Sequence, residues 1–478
     1  MPSLVSIVMR APMVARPLSA DEGGYLAIAR AWAQGRALYA DAWVDRPQGL
    51  LVLYRLVDWI SGGNPAGVRV MGLLAGCVMI VATSIAVNAV AGQRAAAIAA
   101  VLTGLISACP VIEGYAANGE LLTGALVTAS IATALVANRG GARMGDWLVA
   151  GVLAGASLTL KQSGFEAIVA FAGFLIVRAI TKATRRDAVR RLVAFAVGST
   201  IPIGGLLIHA AIIGWDRWWW AIYAYRAQTQ SLWASADWGN LQRTAKFAAP
   251  ILAVAAIASV VTLVRGARRV WRRPGWVIGP QALLGIWLGA AIIGFLSGGG
   301  FWHHYWVQLV APLSALAATE LAKLRAPHRQ AVLVIALGPT LAFAVWVYTA
   351  PRTDWSQRAT GDWRAHLNEE VGLWFAHRHI GQPNLYVMCA SAGMYASTNA
   401  IPGYPYLWFA EVRHGRYAAE RLADYLADDQ RGPDFVARVQ SVNACDPSGR
   451  TEKVLQRDFH QVDTVGPVVI LQRDHRSG

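Results

Sequence analysis

Long apolar runs recur along the first 350 residues, separated by short polar or glycine-bearing segments. They lie near 67–91, 95–111, 120–137, 147–160, 165–180, 190–214, 246–264, 277–297, 306–322 and 330–350. Crossing roughly 30 Å of hydrocarbon takes about 20 helical residues. Backbone groups in lipid must be hydrogen-bonded within their own segment, so these runs are predicted to be helices. Small residues are frequent in them, as in Ala150–Ala156, and allow membrane helices to pack closely. Only nine residues precede Arg10, too few for a crossing. Either the chain starts on the outer side, or Met1–Met9 is the tail end of a first span, the reading its apolar character favours. The expected fold class is an α-helical polytopic membrane protein with about ten to eleven transmembrane helices.

After Ala350 the pattern changes. Residues 351–478 are rich in charge, with strand-like runs at Asn384–Ala390, Asp434–Gln440 and Val465–Arg473 and helical spacing over Ala418–Asp429. A small α/β domain is predicted there, within the usual size range of domains. The chain thus divides into a membrane domain, 1–350, and a soluble domain, 351–478. Of the four cysteines, Cys77 and Cys109 lie in apolar runs and read as inert core residues. Cys389 and Cys445 lie in the soluble domain and are either paired or two buried thiols.

Composition agrees with the membrane reading. Only 15% of the 478 residues are charged, against roughly a quarter in soluble proteins, and mean hydropathy is +0.38. The net charge of +15 does not point to nucleic acid, because it collects in alternate loops. These hold Arg94, then Arg139 and Arg143, then Arg178 to Arg191, then Arg265 to Arg273, then Lys323 to Arg329. In the other set, 111–119 and 298–305 hold no Lys or Arg and 161–164 holds one, Lys161. The basic set is therefore expected in the cytoplasm. The first loop (about 10–66) and the C-terminal domain fall outside, consistent with a bacterial cytoplasmic membrane. The segment 215–245 carries Trp215, Trp218, Trp219, Trp220, Trp233 and Trp238 and reads as an interfacial belt.

Four polar segments on the outer side are not explained by topology. The first loop holds Asp21-Glu22-Gly23-Gly24-Tyr25 and then Asp41-Ala42-Trp43-Val44-Asp45-Arg46-Pro47-Gln48-Gly49. The others are Ala117-Asn118-Gly119-Glu120, Lys161-Gln162-Ser163-Gly164, and Trp302-His303-His304-Tyr305 after three glycines. Ionisable groups near span ends are costly and usually face a cavity or a partner.

The order of these segments resembles bacterial GT-C glycosyltransferases. More narrowly it is similar to the protein O-mannosyltransferase-like group (glycosyltransferase family 39-like) that includes the lipid A aminoarabinose transferases. The resemblance covers residues from about 10 to 350, and it implies sugar transfer from a polyprenyl-phosphate carrier to an acceptor hydroxyl on a glycan, lipid or protein. Where the family carries Lys-Pro-Pro-Gly, this chain has Arg46-Pro47-Gln48-Gly49, and Gly24 stands where some relatives carry a cation.

For such chemistry Asp21 is the candidate general base, with Glu22 beside it as a second acid; capping a helix is the ordinary alternative for Asp21. Arg46, Lys161, His304 and Tyr305 are candidates for the donor phosphate, since leaving-group charge needs cations and donors. Glu120 and Asn118 are candidates for the acceptor side of the cavity, and Asp41 and Asp45 read as solvated loop charges. The Asp21–Glu22 pair is also a candidate for a divalent cation such as Mg²⁺ or Mn²⁺. Two other classes fit the apolar pattern: a transporter or flippase of lipid-linked sugars, and a non-catalytic envelope-assembly subunit. A transporter's site normally lies near the midplane on broken helices with internal repeats, whereas these residues gather at one face.

Overall fold

The computed structural model describes residues 2–139, 143–180, 185–229, 236–271, 279–388, 391–415, 418–439 and 446–474. Helices α1 (Pro2–Val14), α2 (Ala20–Ala33) and α3 (Gln48–Ile60) precede the first long apolar helix, α4 (Ala66–Ala91). The membrane domain continues with α5 (Gln93–Ile106), α6 (Gly119–Ala137), α7 (Met144–Leu160), α8 (Glu166–Ile180) and α9 (Arg185–Ile213). Two short helices, α10 (Trp215–Trp219) and α11 (Tyr225–Thr229), flank a π-helical turn. Then come α12 (Trp238–Trp271), α13 (Pro280–Ser297), α14 (Val307–Leu321) and α15 (Ala326–Tyr348).

Seven of the described segments are long and apolar enough to cross a membrane. The runs expected at 95–111, 147–160 and 306–322 form shorter helices, α5, α7 and α14, of 14, 17 and 15 residues. Helix α5 stops at Ile106 because the chain turns there to meet the Arg10 guanidinium. Arg10 donates to the carbonyls of Gly114 (2.8 Å) and Ser107 (2.7 Å). With those donors satisfied, Arg10 lies buried inside α1, which runs on to Val14, so the first loop begins later than residue 10. Helix α14 is buried along its whole length, which explains its apolar character all round. It stands at the centre of the bundle, packed on α4, α5, α6, α12 and α13.

Glycine sets the tightest helix contact. A side chain at Gly151 of α7 would meet the Phe195 carbonyl of α9 at 2.1 Å, and one at Gly198 would meet that of Leu148 at 2.1 Å. The small residues expected to pack membrane helices do so here.

The basic loops sit at one end of the bundle, where Arg178 and Arg191 bind Asn138 and Arg265 binds Glu320. The four polar segments sit at the other end, with the C-terminal domain. Short helix α3 also lies there. It leaves Val52, Leu56, Trp59 and Ile60 exposed on one stripe, as an interfacial helix does.

The C-terminal domain holds helices α16 (Trp355–Thr360), α17 (Ala365–His377), α18 (Gly393–Thr398), α19 (Phe409–His414), α20 (Ala418–Ala427) and α21 (Arg450–Asp458). Strands β1 (Leu385–Met388), β2 (Phe435–Arg438), β3 (Phe459–Val465) and β4 (Val468–Arg473) form one sheet in the order β1-β2-β4-β3. The β1–β2 pair is parallel and the others antiparallel. β3 escapes the hydrophobic pattern because it is an edge strand, largely exposed on both faces. Cys389 and Cys445 lie outside the described residues, while Cys77 and Cys109 are free thiols. Trp233 also lies outside them; Trp215, Trp219 and Trp238 are exposed and Trp218 is buried.

The two domains meet over α2. Gly23 lets the backbone approach Gly393, and Gly24 leaves room for the Trp408 indole, 2.3 Å from where a side chain's first carbon would sit. Trp43 donates its backbone N–H to the Pro405 carbonyl at 3.2 Å, and Arg30 reaches Asn399 at 3.2 Å.

Candidate active site

Helix α2 begins with a capping box. The Ser19 hydroxyl accepts from the Glu22 N–H at 3.3 Å, and the Glu22 carboxylate accepts from the Ser19 N–H at 3.1 Å. The cap is therefore Ser19, not Asp21, and the Asp21 side chain is left to line a polar cavity. That cavity, about 590 Å³, lies between the membrane domain's polar segments and the C-terminal domain. Burial raises the Asp21 carboxyl above its ordinary value, against the opposing pull of His304 and Arg46.

Glu22 points the other way. It is fully buried, pairs with Arg69 at 3.1 Å, and accepts the Ala117 N–H at 2.9 Å. Its oxygens are thus committed to tying α2 against α4 and the turn before α6. The Asp21–Glu22 pair does not fit a divalent cation, because the two carboxylates face different surroundings. Among the described residues no group of three or more His, Cys, Asp or Glu is arranged to hold a metal.

The remaining candidates converge. Arg46 and Arg226 both grip Asp45, at 2.5 and 2.7 Å. Asp45 is thus no solvated loop charge. Burial opposes its ionisation, but the two guanidinium groups hold its carboxyl below the usual range. Asp41 is exposed and only closes its own turn. Lys161 ends α7, pairs with Glu120 and lies over the Tyr305 ring, 4.4 Å from its centre. Asn118 caps α6 by accepting the Leu121 N–H at 3.2 Å.

The short helical turn ahead of α14 brings His304 to the middle. Its Nδ1 meets Glu113 at 2.5 Å, and its Nε2 lies 3.7 Å from Glu120 and 3.9 Å from Asp21. Burial alone would lower the imidazole, but the surrounding carboxylates of Glu120, Glu113 and Asp21 raise it to about 9. At neutral pH His304 is an imidazolium. Gln48, standing in place of a proline, knots the loop to the bundle. It donates to the Leu206 carbonyl at 2.8 Å and accepts from the Trp218 indole at 3.0 Å.

Two participants are not singled out by the sequence reading. Arg226 sits in the Trp-rich segment, which also holds Arg217 and Arg243, so the local sequence does not mark it. Glu113 lies in a left-handed backbone position (φ 53°), which local pattern does not announce.

Beneath this cluster an apolar cavity of about 770 Å³ opens between α3, α4, α6, α7 and α9, lined by Leu74, Leu122, Leu160 and Leu206. Gln48 and Gly49, just past Arg46, line it too. A further apolar cavity of about 620 Å³ continues along α4 and α6 toward the basic loops and shares Val78 with the first.

No family model matches the chain, and no curated protein matches it. Its fold is similar to solved structures. ArnT from Cupriavidus metallidurans, bound to undecaprenyl phosphate, matches with a TM-score of 0.64 at 15% identity, over 98% of this chain and 96% of that one. The archaeal oligosaccharyltransferase AglB from Archaeoglobus fulgidus, in complex with an inhibitory peptide and a dolichol-phosphate, matches with a TM-score of 0.58 at 13% identity, over 98% of this chain and 73% of that one. Another AglB structure, in complex with Zn and sulfate, matches with a TM-score of 0.50. A likeness that spans nearly the whole chain at such low identity is one of fold, the GT-C fold, and it agrees with the seven helices long and apolar enough to cross a membrane.

Proposed function

We propose that the protein transfers a sugar from a polyprenyl-phosphate carrier to an acceptor hydroxyl, at the end of the bundle that bears the C-terminal domain. One observation carries the reading. An uncommitted carboxylate, Asp21, faces a set of buried cations at the junction of a polar cavity and an apolar one. Of the four carboxylates in the cluster, Asp45, Glu113 and Glu120 are each paired at close range, whereas the nearest cation to Asp21 is His304 at 3.9 Å. Among the described residues, Arg46 Nε, Arg226 Nε and Asn118 Nδ2 are buried donors without an acceptor. Unpaired buried donors are costly, and a phosphate relieves that cost.

The geometry gives each group a task. The polyprenyl tail lies in the apolar cavities along α4 and α6, which places its phosphate against Arg46, Arg226 and Lys161. Asp21 accepts the proton as the acceptor oxygen bonds to the sugar's anomeric carbon. The carbon–oxygen bond to phosphate breaks, and the charge left on the polyprenyl phosphate is stabilised by the preorganised cations. Burial raises the basicity of Asp21 toward that of a working base. His304, held cationic by Glu120 and Glu113, fixes the field at the centre. No step is routed through a metal ion, since Glu22 is turned away from Asp21.

The fold neighbours carry undecaprenyl phosphate and a dolichol-phosphate, which supports a donor of this class here. The donor sugar, a hexose or a pentose, is set by the polar cavity. With the basic loops in the cytoplasm, the site lies outside a bacterial cytoplasmic membrane. A transporter or flippase is disfavoured because the charged cluster sits at a helix-end face and not at the midplane.

The test is release of polyprenyl phosphate from a polyprenyl-phosphate sugar by purified protein in lipid nanodiscs. Asp21→Asn keeps the size and removes the base, and turnover should fall about a hundredfold or more, with undecaprenyl phosphate still bound. Normal turnover by that variant would remove Asp21 from the chemistry; failure of the wild-type protein to bind undecaprenyl phosphate would refute the donor class.

A further inference from the structure

The polar cavity has an outer wall that the transfer chemistry does not use. Trp302 from the loop before α14, Trp363 from the turn before α17, and Trp408 at the start of α19 all line it. Trp302 and Trp363 are 47% and 42% exposed. Among the described residues neither indole stacks on another ring, and both stay part-exposed on the cavity wall at a cost in hydration. Trp408 is held against Tyr25 with ring centres 5.7 Å apart, and its indole N–H is buried without an acceptor among the described residues. The space it fills exists because residue 24 is glycine. Planar hydrogen-bonding groups line the same cavity: Asn240, Arg243, Asp362 and Glu411.

Flat apolar faces together with planar polar groups in one cavity match one kind of molecule. A pyranose ring presents axial C–H groups on its faces and hydroxyls around its edge. The faces pack on aromatic rings, and each hydroxyl pairs with an amide, guanidinium or carboxylate. The cavity is within the range of sites that enclose small molecules and has room for a donor sugar with a second ring beside it. A serine or threonine presented on a polypeptide would leave these indoles uncovered.

We infer that the outer half of the cavity is a saccharide subsite built on Trp302, Trp363 and Trp408, and that the acceptor hydroxyl belongs to a carbohydrate. This rests on the transfer reading above. The C-terminal domain then supplies part of the site, Trp363, Trp408 and Glu411, rather than hanging beside it. It also accounts for Gly24: the residue next to the acidic pair is small so that an indole from the other domain can close the wall.

The experiment is deletion of the gene in the source organism, with mass spectrometry of the envelope saccharides and saccharolipids alongside the serine- and threonine-linked sugars of envelope proteins. The expected result is loss of one sugar residue from the saccharide fraction, restored by the wild-type gene and by Trp302→Phe with Trp363→Phe. The Trp302→Ala, Trp363→Ala double variant should leave at least ten times as many saccharide sites unmodified as wild type. Its undecaprenyl phosphate binding, measured on purified protein, shows that it folds. Loss confined to protein-linked sugars, or full restoration by the folded Ala variant, overturns the subsite. A deletion strain that loses sugar from neither fraction overturns the transfer reading and the subsite with it, whereas wild-type binding of undecaprenyl phosphate keeps the donor site independent of both.

Discussion

Arg46 is the sharpest place to perturb the donor site. Its guanidinium is 6% exposed and spends one nitrogen on Asp45 at 2.5 Å, while Nε has no acceptor among the described residues. Arg46→Ala therefore removes a charge and a free donor aimed at the phosphate, but leaves Asp45 paired with Arg226 at 2.7 Å. A lost charge-assisted hydrogen bond costs roughly 1.5–3 kcal/mol, which is about ten- to over a hundredfold in dissociation constant. Arg46→Lys keeps the charge, but one ammonium must then serve both Asp45 and the phosphate, so it should fall between wild type and Ala. The assay is calorimetric titration of undecaprenyl phosphate into protein in nanodiscs, with thermal melts in parallel. The melting temperature of Arg46→Ala should stay close to wild type, because Asp45 retains a partner. An unchanged dissociation constant in Arg46→Ala would refute the phosphate assignment and move the anion toward Lys161 and Arg226.

Other outcomes follow from the same geometry. His304, raised to about 9, is cationic through neutral pH, so activity should decline as pH rises through about 9, and it should decline on the acid side as Asp21 protonates. The stability that His304 contributes through Glu113 is complete below its ordinary value of 6.5 and disappears as pH rises through about 9; a melting temperature flat across that window in wild type, or still falling in His304→Gln, would contradict the pairing. Glu22→Gln should act on folding rather than on chemistry. It leaves the Arg69 guanidinium buried with one fewer carboxylate, a loss of about 3–5 kcal/mol for a broken buried pair, read as a drop in melting temperature with turnover per folded molecule preserved. For topology, a cysteine at Arg94 should be shielded from a membrane-impermeant thiol reagent in intact cells and one at Arg421 should react; the reverse labelling would invert the orientation.

Hydrophobic pattern located the helices of the membrane domain, because hydrocarbon accepts backbone only as helix, but it did not show that α5 and α14 are shorter than the expected spans. Pattern also set off the C-terminal region, and the polar segments, whose order resembles that of a known family, marked Asp21, Arg46, Lys161 and His304 as candidates. Tertiary structure decided what each acid does. Asp21 and Glu22 are neighbours in sequence, but successive helix positions point about 100° apart, so one faces the cavity and the other is locked to Arg69. Asp45 and Arg226 are 181 positions apart and meet only because α11 folds back over the first loop. Glu113 depends on a left-handed turn, and the Trp408 wall on Gly24 of a distant helix. Local sequence encodes length, polarity and caps; which buried charge finds which partner is settled only when separate helices are packed together, since the energy of such a pair depends on distance and burial that no single segment contains.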